Sequence, residues 1–353
     1  MTVYRNILVI RLSSLGDVLL TMPAVQAIKA ACPASAVSWL VEGPSSELLA
    51  CQEFIDRVIE FPRGAITKSL RKGRFFSAAA NLLAFRSALR RQAYDLVVDF
   101  HGIVKSALLA WAARAQRRLG FDGSVAKEGS WLAYDERQQA SDRRLHKSMR
   151  NMLLASRLGA GVLPEVDLKT PPEAAAYIDA FFAQKAISGP VIAVNPFCSK
   201  GSAFKRWDMD RYADLVRCVG NATGATMMVL WGPGEEEEAA GLVRGAGGRA
   251  MLACPTTVAQ LLALLKRTDL YVGGDTGVMH LAAFARVPIV AIFGPTDHLV
   301  NGPVGTGHTI VRKDLPCSPC RDKTCKDRIC LRSITVDEVS AAVVGAWSRI
   351  GKG

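Results

Sequence analysis

The chain has 353 residues, of which 50% are hydrophobic and 22% are charged, with 30 glycines and 16 prolines. This composition is ordinary for a globular protein and excludes disordered, collagen-like and small disulfide-stapled proteins. The length predicts about two domains. Lys and Arg outnumber Asp and Glu by 44 to 32, which gives a formal net charge of +12 and indicates an anionic partner.

Apolar strand patterns alternate with helical patterns through the first half of the chain. The predicted strands are Ile7–Leu12, Val37–Glu42, Arg57–Phe61 and Leu96–Phe100. The predicted helices lie near 17–31, 45–52, 75–92, 103–115 and 142–158. A polar, proline-bearing segment at 161–172 is typical of a linker. Strands that alternate with helices of this length predict βαβ units and a parallel sheet.

The same rhythm restarts after the linker. The predicted strands are Val191–Asn195, Thr226–Trp231, Asp269–Gly273 and Pro288–Phe293, and the predicted helices lie near 208–219, 235–244, 257–267, 276–286 and 337–350. We therefore expect an α/β protein with two Rossmann-like domains, 1–165 and 173–335, whose parallel sheets face a central cleft. We expect residues 336–353 to form a C-terminal helix that packs back on the first domain. Ligands of such sheets bind beyond the carboxyl ends of the strands.

Cellular location is suggested by the start of the chain and by the cysteines. Residues 1–12 predict a first strand rather than an export signal, and no apolar run approaches the ~18 residues of a spanning helix. Five of the nine cysteines stand singly, in Cys32, Cys51, Cys198, Cys218 and Cys254. Such cysteines are typical of a reduced, cytoplasmic protein.

The positive charge is concentrated in the first half. Residues 1–170 hold 24 Lys+Arg and 15 Asp+Glu. Residues 61–91 contain no acid and eight basic residues, namely Arg63, Lys68, Arg71, Lys72, Arg74, Arg86, Arg90 and Arg91. A solvated face is one interpretation, and a docking surface for a polyanion is the other. Low aromatic content (7%) and the absence of a recognisable nucleic-acid module disfavour nucleic acid, whereas anionic lipid headgroups or a phosphorylated, carboxylated glycan fit.

The loop after the first strand, Arg11–Thr21, lacks the Gly-x-Gly-x-x-Gly dinucleotide fingerprint. It presents Ser13, Ser14 and Gly16, followed by Asp17 at a predicted helix start. Two interpretations of Asp17 are open at this point. It is either a helix N-cap, a common role for Asp, or a carboxylate placed to accept a proton from an alcohol.

The second half contains a glycine-rich loop, Val272–His280, between a strand and a helix. Its glycines allow close approach of a ligand, and the helix start with Asp275 and Thr276 favours an anion such as a diphosphate. His280 lies one turn after Thr276, on the same helix face; a well-capped helix with a core histidine is the alternative. Lys205, after an earlier strand, is placed to neutralise phosphate.

Two further segments have chemical interest. A carboxylate in Trp231–Glu238 could accept hydrogen bonds from ribose hydroxyls, although acids are also favourable at a helix start. Cys317, Cys320, Cys325 and Cys330 lie close together in a basic loop. A structural zinc site, disulfides and free thiols are the alternatives for these four cysteines.

Five motifs together resemble the ADP-heptose:lipopolysaccharide heptosyltransferases, glycosyltransferase family 9. They are Ser13–Asp17, Lys205–Trp207, Trp231–Glu236, Gly274–His280 and Phe293–Asp297, with Asp99–Ser106 and Arg118–Phe121 as further similar stretches. The resemblance covers nearly the whole chain. It implies a GT-B fold and inverting, metal-independent transfer of heptose from ADP-heptose to the Kdo/heptose inner core of lipopolysaccharide.

The resemblance also implies residue roles. Asp17 would be the general base. Donor binding would fall to Lys205, Glu236 (ribose), Thr256 (adenine), Asp275, Thr276, Gly277 and His280. Acceptor binding would fall to Ser13, Ser14, Gly16, Arg63, Arg71, Lys72, Arg74, His101 and Lys105. The implied partners are ADP-heptose, an anionic Kdo-lipid A or core oligosaccharide and the inner face of the inner membrane, with no cofactor required for catalysis.

The family type of the chain is mixed. Asn195–Trp207 is more similar to the second heptosyltransferase type, whereas Arg63–Lys105 is more similar to the first. The hydroxyl that is glycosylated, on Kdo or on an earlier heptose, therefore stays open. A GT-B transferase with another nucleotide sugar or acceptor, and a non-catalytic polyanion- or lipid-binding relative, are the alternative functions.

Overall fold

A computed structural model describes residues 4–248 and 250–351, except for the side chain of Lys200. The chain divides into two compact units between Lys169 and Thr170. This division falls inside the segment 161–172 that the composition marks as a linker. We call residues up to Lys169 the first unit and residues from Thr170 the second unit.

The first unit contains six strands and seven α-helices within its described residues. The strands are β1 (Asn6–Ile10), β2 (Ala36–Val41), β3 (Arg57–Glu60), β4 (Leu96–Asp99), β5 (Arg117–Phe121) and β6 (Glu136–Gln138). The helices are α1 (Leu15–Leu19), α2 (Met22–Ala31), α3 (Ser46–Ala50), α4 (Arg63–Arg71), α5 (Phe75–Arg90), α6 (Val104–Ala112) and α7 (Lys147–Ser156).

The second unit repeats this plan with six strands and eight α-helices among the residues that are described. The strands are β7 (Val191–Asn195), β8 (Thr226–Val229), β9 (Ala250–Leu252), β10 (Leu270–Gly274), β11 (Ile289–Ile292) and β12 (Thr309–Val311). The helices are α8 (Pro172–Gln184), α9 (Met209–Thr223), α10 (Glu236–Ala246), α11 (Val258–Lys266), α12 (Gly277–Phe284), α13 (His298–Asn301), α14 (Ile329–Arg332) and α15 (Val336–Arg349).

Each unit is built on one parallel six-stranded sheet. The strand orders are β3-β2-β1-β4-β5-β6 and β12-β11-β10-β7-β8-β9, and every strand pair is parallel. Both orders are those of the Rossmann fold, with the topological switch between β1 and β4 in one sheet and between β7 and β10 in the other. The predicted α/β class with two Rossmann-like halves is confirmed.

Burial explains why the central strands were easy to predict. All residues of β4, β7 and β10 are buried, as expected for strands covered by helices on both faces. The edge strands β3, β6, β9 and β12 contain no buried residue. Their short, mixed sequences lack the continuous apolar run that indicates a buried strand.

The C-terminal helix α15 packs within the second unit. The apolar face of α15, with Val339, Val343, Ala346 and Trp347, lies in the hydrophobic core of the second unit. It packs against α9, β10, β11 and β12. Its buried stripe is therefore used within its own unit. The expectation that residues 336–353 pack back on the first domain stays a prediction. Within the described part of the chain, no helix combines the length and apolarity needed to cross a membrane.

Candidate functional site

Asp17 lies in the short helix α1, directly after the central strand β1. The helix begins after Ser14, so Asp17 is its third residue and not its N-cap. Its carboxylate does not cap the backbone; it is held by side chains, and 21% of the side chain remains exposed. Of the two interpretations of Asp17, N-capping is wrong, and a carboxylate directed to other groups remains.

Two cations hold the Asp17 carboxylate. Lys147 Nζ lies 2.7 Å from Oδ1, Arg11 Nη2 lies 3.0 Å from Oδ2, and the Ser14 hydroxyl donates to Oδ2 at 3.0 Å. Burial by itself would raise the pKa of Asp17, but Arg11 and Lys147 outweigh it and hold the pKa far below its usual value. The group is thus an anion at any physiological pH.

The neighbouring strand end places His101 beside this group. The Leu12 N–H donates to His101 Nδ1 at 3.1 Å, which leaves the ring proton on Nε2. Burial and the Arg11 charge lower the pKa of His101 to about 4, although Asp17 opposes them. His101 is therefore a neutral ring that can donate a hydrogen bond from Nε2. It lies near Asp17 because β1 and β4 are neighbours at the switch point of the sheet.

A buried carboxylate fixes the turn that carries His101. Asp99, which is fully buried, accepts from the backbone N–H groups of His101 (2.8 Å) and Gly102 (3.2 Å) and from the Tyr134 hydroxyl (2.7 Å). A Cβ on Gly120 would lie 2.4 Å from the Tyr134 ring, so glycine is required there to admit the tyrosine. Asp99 is structural: it positions His101.

Glu42 connects two of the predicted acceptor-binding cations. It is buried at the end of β2 and pairs with Arg63, at 3.1 Å, and with Lys105. Lys105 Nζ also lies 5.0 Å from the centre of the Phe61 ring. Sequence reasoning missed Glu42, because a single acid after a strand carries no signal of its partners.

The other predicted acceptor residues are distributed more widely. Gly16 is buried, and Ser13 and Ser14 lie beside Asp17 in the β1–α1 loop. Arg71, Lys72 and Arg74 are exposed at the turn between α4 and α5. In the part of the chain that the structure describes, none of these three side chains forms an ion pair, so the structure does not bring them to Asp17.

The second unit places Lys205 and Asp275 together. Lys205 follows β7, Asp275 follows the adjacent strand β10, and Lys205 Nζ lies 2.8 Å from Asp275 Oδ2. Asp275 is only 7% exposed, and Lys205 is 18% exposed. The pair thus lies at the switch point of this sheet, where nucleotides bind in Rossmann folds.

Thr276 begins helix α12 next to this pair. As N-cap, its hydroxyl accepts from the Met279 N–H at 3.4 Å and receives a hydrogen bond from Asn195 Nδ2 at 3.2 Å. A Cβ on Gly273 would lie 2.9 Å from the Asn195 carbonyl oxygen, so the glycine permits β7 and β10 to close on each other. The start of α12 at Gly277 supplies a helix dipole that favours an anion. His280 is buried one turn further along α12.

The loop after β8 separates the roles of its acidic residues. The Gly232 N–H donates to Glu235 Oε2 at 2.8 Å, and Glu238 pairs with Arg206. Glu237 lies 3.6 Å from Arg244. Glu236 is exposed at the first position of α10, and among the described residues it has no ion-pair partner. This arrangement leaves Glu236 available to a ligand.

Thr256 follows β9, in the loop before α11. It is half-buried, and the next residue, Thr257, caps α11 in a capping box with Gln260. The donor residues predicted from the sequence therefore follow four neighbouring strands, in the order β10, β7, β8 and β9. They form one row along the carboxyl edge of this sheet.

The four clustered cysteines are not arranged as a metal site in the described part of the chain. None of the nine cysteines, all of which lie in the described part of the chain, forms a disulfide. Burial, followed by the neighbouring Cys320, Cys317 and Cys325, raises the pKa of the Cys330 thiol. Among residues 4–248 and 250–351, no three His, Cys, Asp or Glu side chains are arranged to hold a metal ion. The structure thus does not support a structural zinc site at Cys317, Cys320, Cys325 and Cys330.

Residues 82–329 match glycosyltransferase family 9 (heptosyltransferase). The chain belongs to glycosyltransferase family 9. It is similar to lipopolysaccharide heptosyltransferase 1 of Pseudomonas aeruginosa, with 26% identity over 91% of this chain and 87% of that protein. The family membership confirms that the protein is a glycosyltransferase, as the sequence motifs indicate.

Two solved structures share the fold of this family 9 glycosyltransferase. A family 9 glycosyl transferase from Veillonella parvula superposes with a TM-score of 0.83 at 19% identity and covers 98% of both chains. An E. coli heptosyltransferase solved with ADP gives a TM-score of 0.76 at 23% identity over 97% of this chain and 99% of that one. The predicted GT-B fold is thereby confirmed.

Proposed function

We propose that this family 9 glycosyltransferase transfers L-glycero-D-manno-heptose from ADP-heptose to the Kdo/heptose inner core of lipopolysaccharide, with inversion and without a catalytic metal. The Pseudomonas relative is a lipopolysaccharide heptosyltransferase and the E. coli heptosyltransferase was solved with ADP, and both facts support this choice of donor and acceptor. The observation that carries the proposal is that each unit gathers its motif residues at its own switch point: Asp17 with His101 in the first, Lys205 with Asp275 in the second.

ADP-heptose would bind along the carboxyl ends of the strands in the second unit. The diphosphate would bind at Lys205, Asp275, Thr276 and Gly277, where a cation and a helix start meet. The ribose would bind to Glu236 after β8, and the adenine would lie near Thr256 after β9. Phosphate, ribose and base succeed one another in ADP in the same order as these strands succeed one another in the sheet.

In the reaction, Asp17 takes the proton of the acceptor hydroxyl as its oxygen attacks the anomeric carbon of the heptose. The bond between that carbon and the β-phosphate oxygen breaks, and ADP leaves. Lys205 and the start of α12 stabilise the negative charge that develops on the diphosphate. A single displacement of this kind inverts the anomeric centre. Because Lys147 Nζ contacts Asp17 Oδ1, Lys147 must move away before the acceptor hydroxyl can bind to this oxygen.

The acceptor would bind to the basic side of the first unit. Ser13, Ser14 and Gly16 lie beside Asp17, and Arg63 and Lys105 meet at Glu42. Arg71, Lys72 and Arg74 would bind anionic Kdo or phosphate groups at the α4–α5 turn. Since such an acceptor is carried on lipid A, the enzyme would work in the cytoplasm at the inner face of the inner membrane.

The test is mass analysis of products after incubation with ADP-heptose and defined truncated glycolipids. We expect a mass increase of one heptose on one of these acceptors, also in the presence of EDTA. Asp17→Asn keeps the size of the side chain and removes its basicity, so transfer should fall about 10²–10⁴-fold while ADP affinity stays unchanged. Transfer only from another nucleotide sugar, or no transfer by the unmodified chain to any acceptor, would reject the proposal.

A further inference from the structure

Helix α5 exposes a continuous apolar stripe. Only Ala78 and Leu89 of its 16 residues are buried. Phe75 and Phe76 are 67% and 95% exposed, and Leu82 and Leu83 are also exposed. The two leucines lie two helical turns after the two phenylalanines, so all four share one face. Single exposed apolar residues are common, whereas a patch of this size on a helix marks an interaction surface.

The surroundings of this stripe are strongly cationic. No acidic residue occurs between Phe61 and Tyr94, and the C-terminal end of α5 carries Arg86, Arg90 and Arg91. Among the described residues, none of these three arginines pairs with a carboxylate. Arg86 Nε is buried without a hydrogen-bond partner. No carboxylate in the described part of the chain therefore neutralises these charges.

The three arginines line a surface depression. Its volume is about 390 Å³, and its walls are Leu83, Arg86, Ser87, Arg90 and Arg91. Arg90 is oriented by a 3.0 Å hydrogen bond from Nε to the Ala112 carbonyl. Desolvation and the nearby charges of Arg114 and Arg86 lower the pKa of Arg90. Guanidinium groups held close to one another in this way favour a phosphate between them, because they can each donate to its oxygens.

We propose that α5 docks this glycosyltransferase on an anionic phospholipid bilayer. Phe75, Phe76 and Leu82 enter the boundary between headgroups and acyl chains, and a headgroup phosphate binds between Arg86, Arg90 and Arg91. This inference rests on the proposed function, since a lipid-borne acceptor lies at such a surface. An apolar face with flanking Lys and Arg is the composition of helices that lie in a membrane interface, and a helix of 16 residues gives a contact about 24 Å long.

The charge decides between a membrane and a second copy of this chain. A symmetric dimer through α5 would bring two acid-free basic surfaces together, and like charges at close range oppose association. An anionic bilayer supplies the complementary charge, at about 1 kcal/mol for each Lys or Arg near its surface.

The experiment is co-sedimentation of the full chain with vesicles of phosphatidylcholine, alone or mixed with phosphatidylglycerol. We expect binding only to the mixed vesicles. The double variant Phe75→Ser/Phe76→Ser should weaken that binding at least about tenfold, because two phenylalanines lose their apolar burial. The triple variant Arg86→Gln/Arg90→Gln/Arg91→Gln should weaken it by about 100-fold.

Matched controls exist elsewhere in the chain. Leu132→Ser/Val162→Ser removes two other exposed apolar side chains of the first unit. Arg321→Gln/Lys323→Gln/Lys326→Gln removes three exposed cations of the second unit. Both controls should bind the mixed vesicles like the unmodified chain. Circular dichroism melting and ADP affinity verify that each variant is folded.

Several outcomes would overturn the docking role of α5. The first three concern vesicles: equal binding to both kinds of vesicle, unchanged binding of the α5 variants, or equal losses of binding in the control variants. The fourth is a dimer of the unmodified chain in light scattering that becomes a monomer in the Phe75→Ser/Phe76→Ser variant. Heptose transfer to a deacylated, soluble acceptor separates the two proposals. If only docking fails, this transfer persists in the unmodified chain; if only the proposed function fails, vesicle binding persists without transfer.

Discussion

At the residue scale, the charge environment of Asp17 determines how well it can serve as the proposed base. A carboxylate with two cations on it is a weak base, so its ability to accept a proton depends on how firmly Lys147 and Arg11 hold it. Arg11 also donates to the Phe100 carbonyl at 2.6 Å and is thereby fixed. Lys147 is the partner that can move, because it has only this one ion pair among the described residues.

Lys147→Met should therefore move the acid limb of the kcat/KM pH profile to higher pH. The cations depress the Asp17 pKa, so removing one of them raises it. Because activity falls as pH drops through this pKa, the variant should lose activity at a higher pH than the unmodified enzyme. Lys29→Met removes a similar Lys–Asp pair with Asp56 (2.8 Å) and should leave the profile unchanged. An unchanged profile in Lys147→Met would argue against Asp17 as the base.

Glu235 and Glu236 form a second matched pair of residues. Glu236→Ala should weaken ADP binding roughly tenfold or more, since it removes charged acceptors for the ribose hydroxyls, and should leave stability unchanged. Glu235→Ala should lower stability by about 1 kcal/mol, because the Gly232 N–H loses its acceptor. Calorimetric titration with ADP and urea unfolding measure the two effects. Reversed results would assign the ribose contact to Glu235.

At the scale of elements, the sequence predicts what is buried and periodic. The central strands are recognisable as apolar runs and the helices after them by their periodic apolar residues. The motif loops could be placed because each one directly follows a predicted strand. Helix α4 and strands β5, β6, β9 and β12 were not predicted. The edge strands β6, β9 and β12 are short and α4 has no buried residue, so they lack a clear period. Strand β5 is an inner strand, but its first two residues are arginines and only its last three residues are buried, so its apolar run is too short to be recognised. Helix α8 was also not predicted, because it begins at Pro172, the last residue of the linker segment.

The candidate site likewise contains residues that could be predicted from the sequence and residues that could not. Lys205, Asp275 and Thr276 belong to recognisable loops, and the strand order brings them together. Lys147 is 130 residues from Asp17 and Glu42 is 63 residues from Lys105, and neither belongs to a motif. Such contacts arise from tertiary packing, which spacing along one sequence does not reveal.

The loops after β7 and β10 allow a test of the Lys205–Asp275 pair. Lys205→Ala leaves a buried carboxylate unpaired, which should cost about 3 kcal/mol of stability and weaken ADP binding. Lys205→Ala/Asp275→Asn should recover most of the stability, because the unpaired charge is gone, while ADP binding stays weak. Urea unfolding and ADP titration of both variants check this. Recovery of ADP affinity in the double variant would exclude Lys205 as a phosphate ligand.

At the scale of the whole molecule, the net charge of +12 is divided unequally. Residues 1–170 hold 24 Lys+Arg against 15 Asp+Glu, and residues 171–353 hold 20 against 17. The half with the proposed acceptor site thus carries most of the excess, and the half with the proposed donor site is nearly balanced. Salt should consequently affect the two substrates differently.

Arg71→Glu/Lys72→Glu/Arg74→Glu should raise the KM for an anionic acceptor about tenfold or more and leave the Kd for ADP unchanged. Arg321→Glu/Lys323→Glu/Lys326→Glu, an equal change of charge in the second unit, should affect acceptor KM far less. Steady-state kinetics at low salt and at 0.3 M salt, where the Debye length falls to between about 3 and 8 Å, provide the measurement. Equal losses for acceptor and ADP would refute this assignment.

The segment with Lys205 ends in Trp207, whose indole N–H donates to the Ile334 carbonyl at 3.1 Å and whose ring is buried in one core with Trp347 of α15. These partners lie more than a hundred residues later in the chain. A nascent chain therefore cannot complete the packing of this segment until residues 334–347 have left the ribosome. The proposed nucleotide site, although encoded mostly between residues 195 and 280, is therefore completed only after helix α15 has been synthesised.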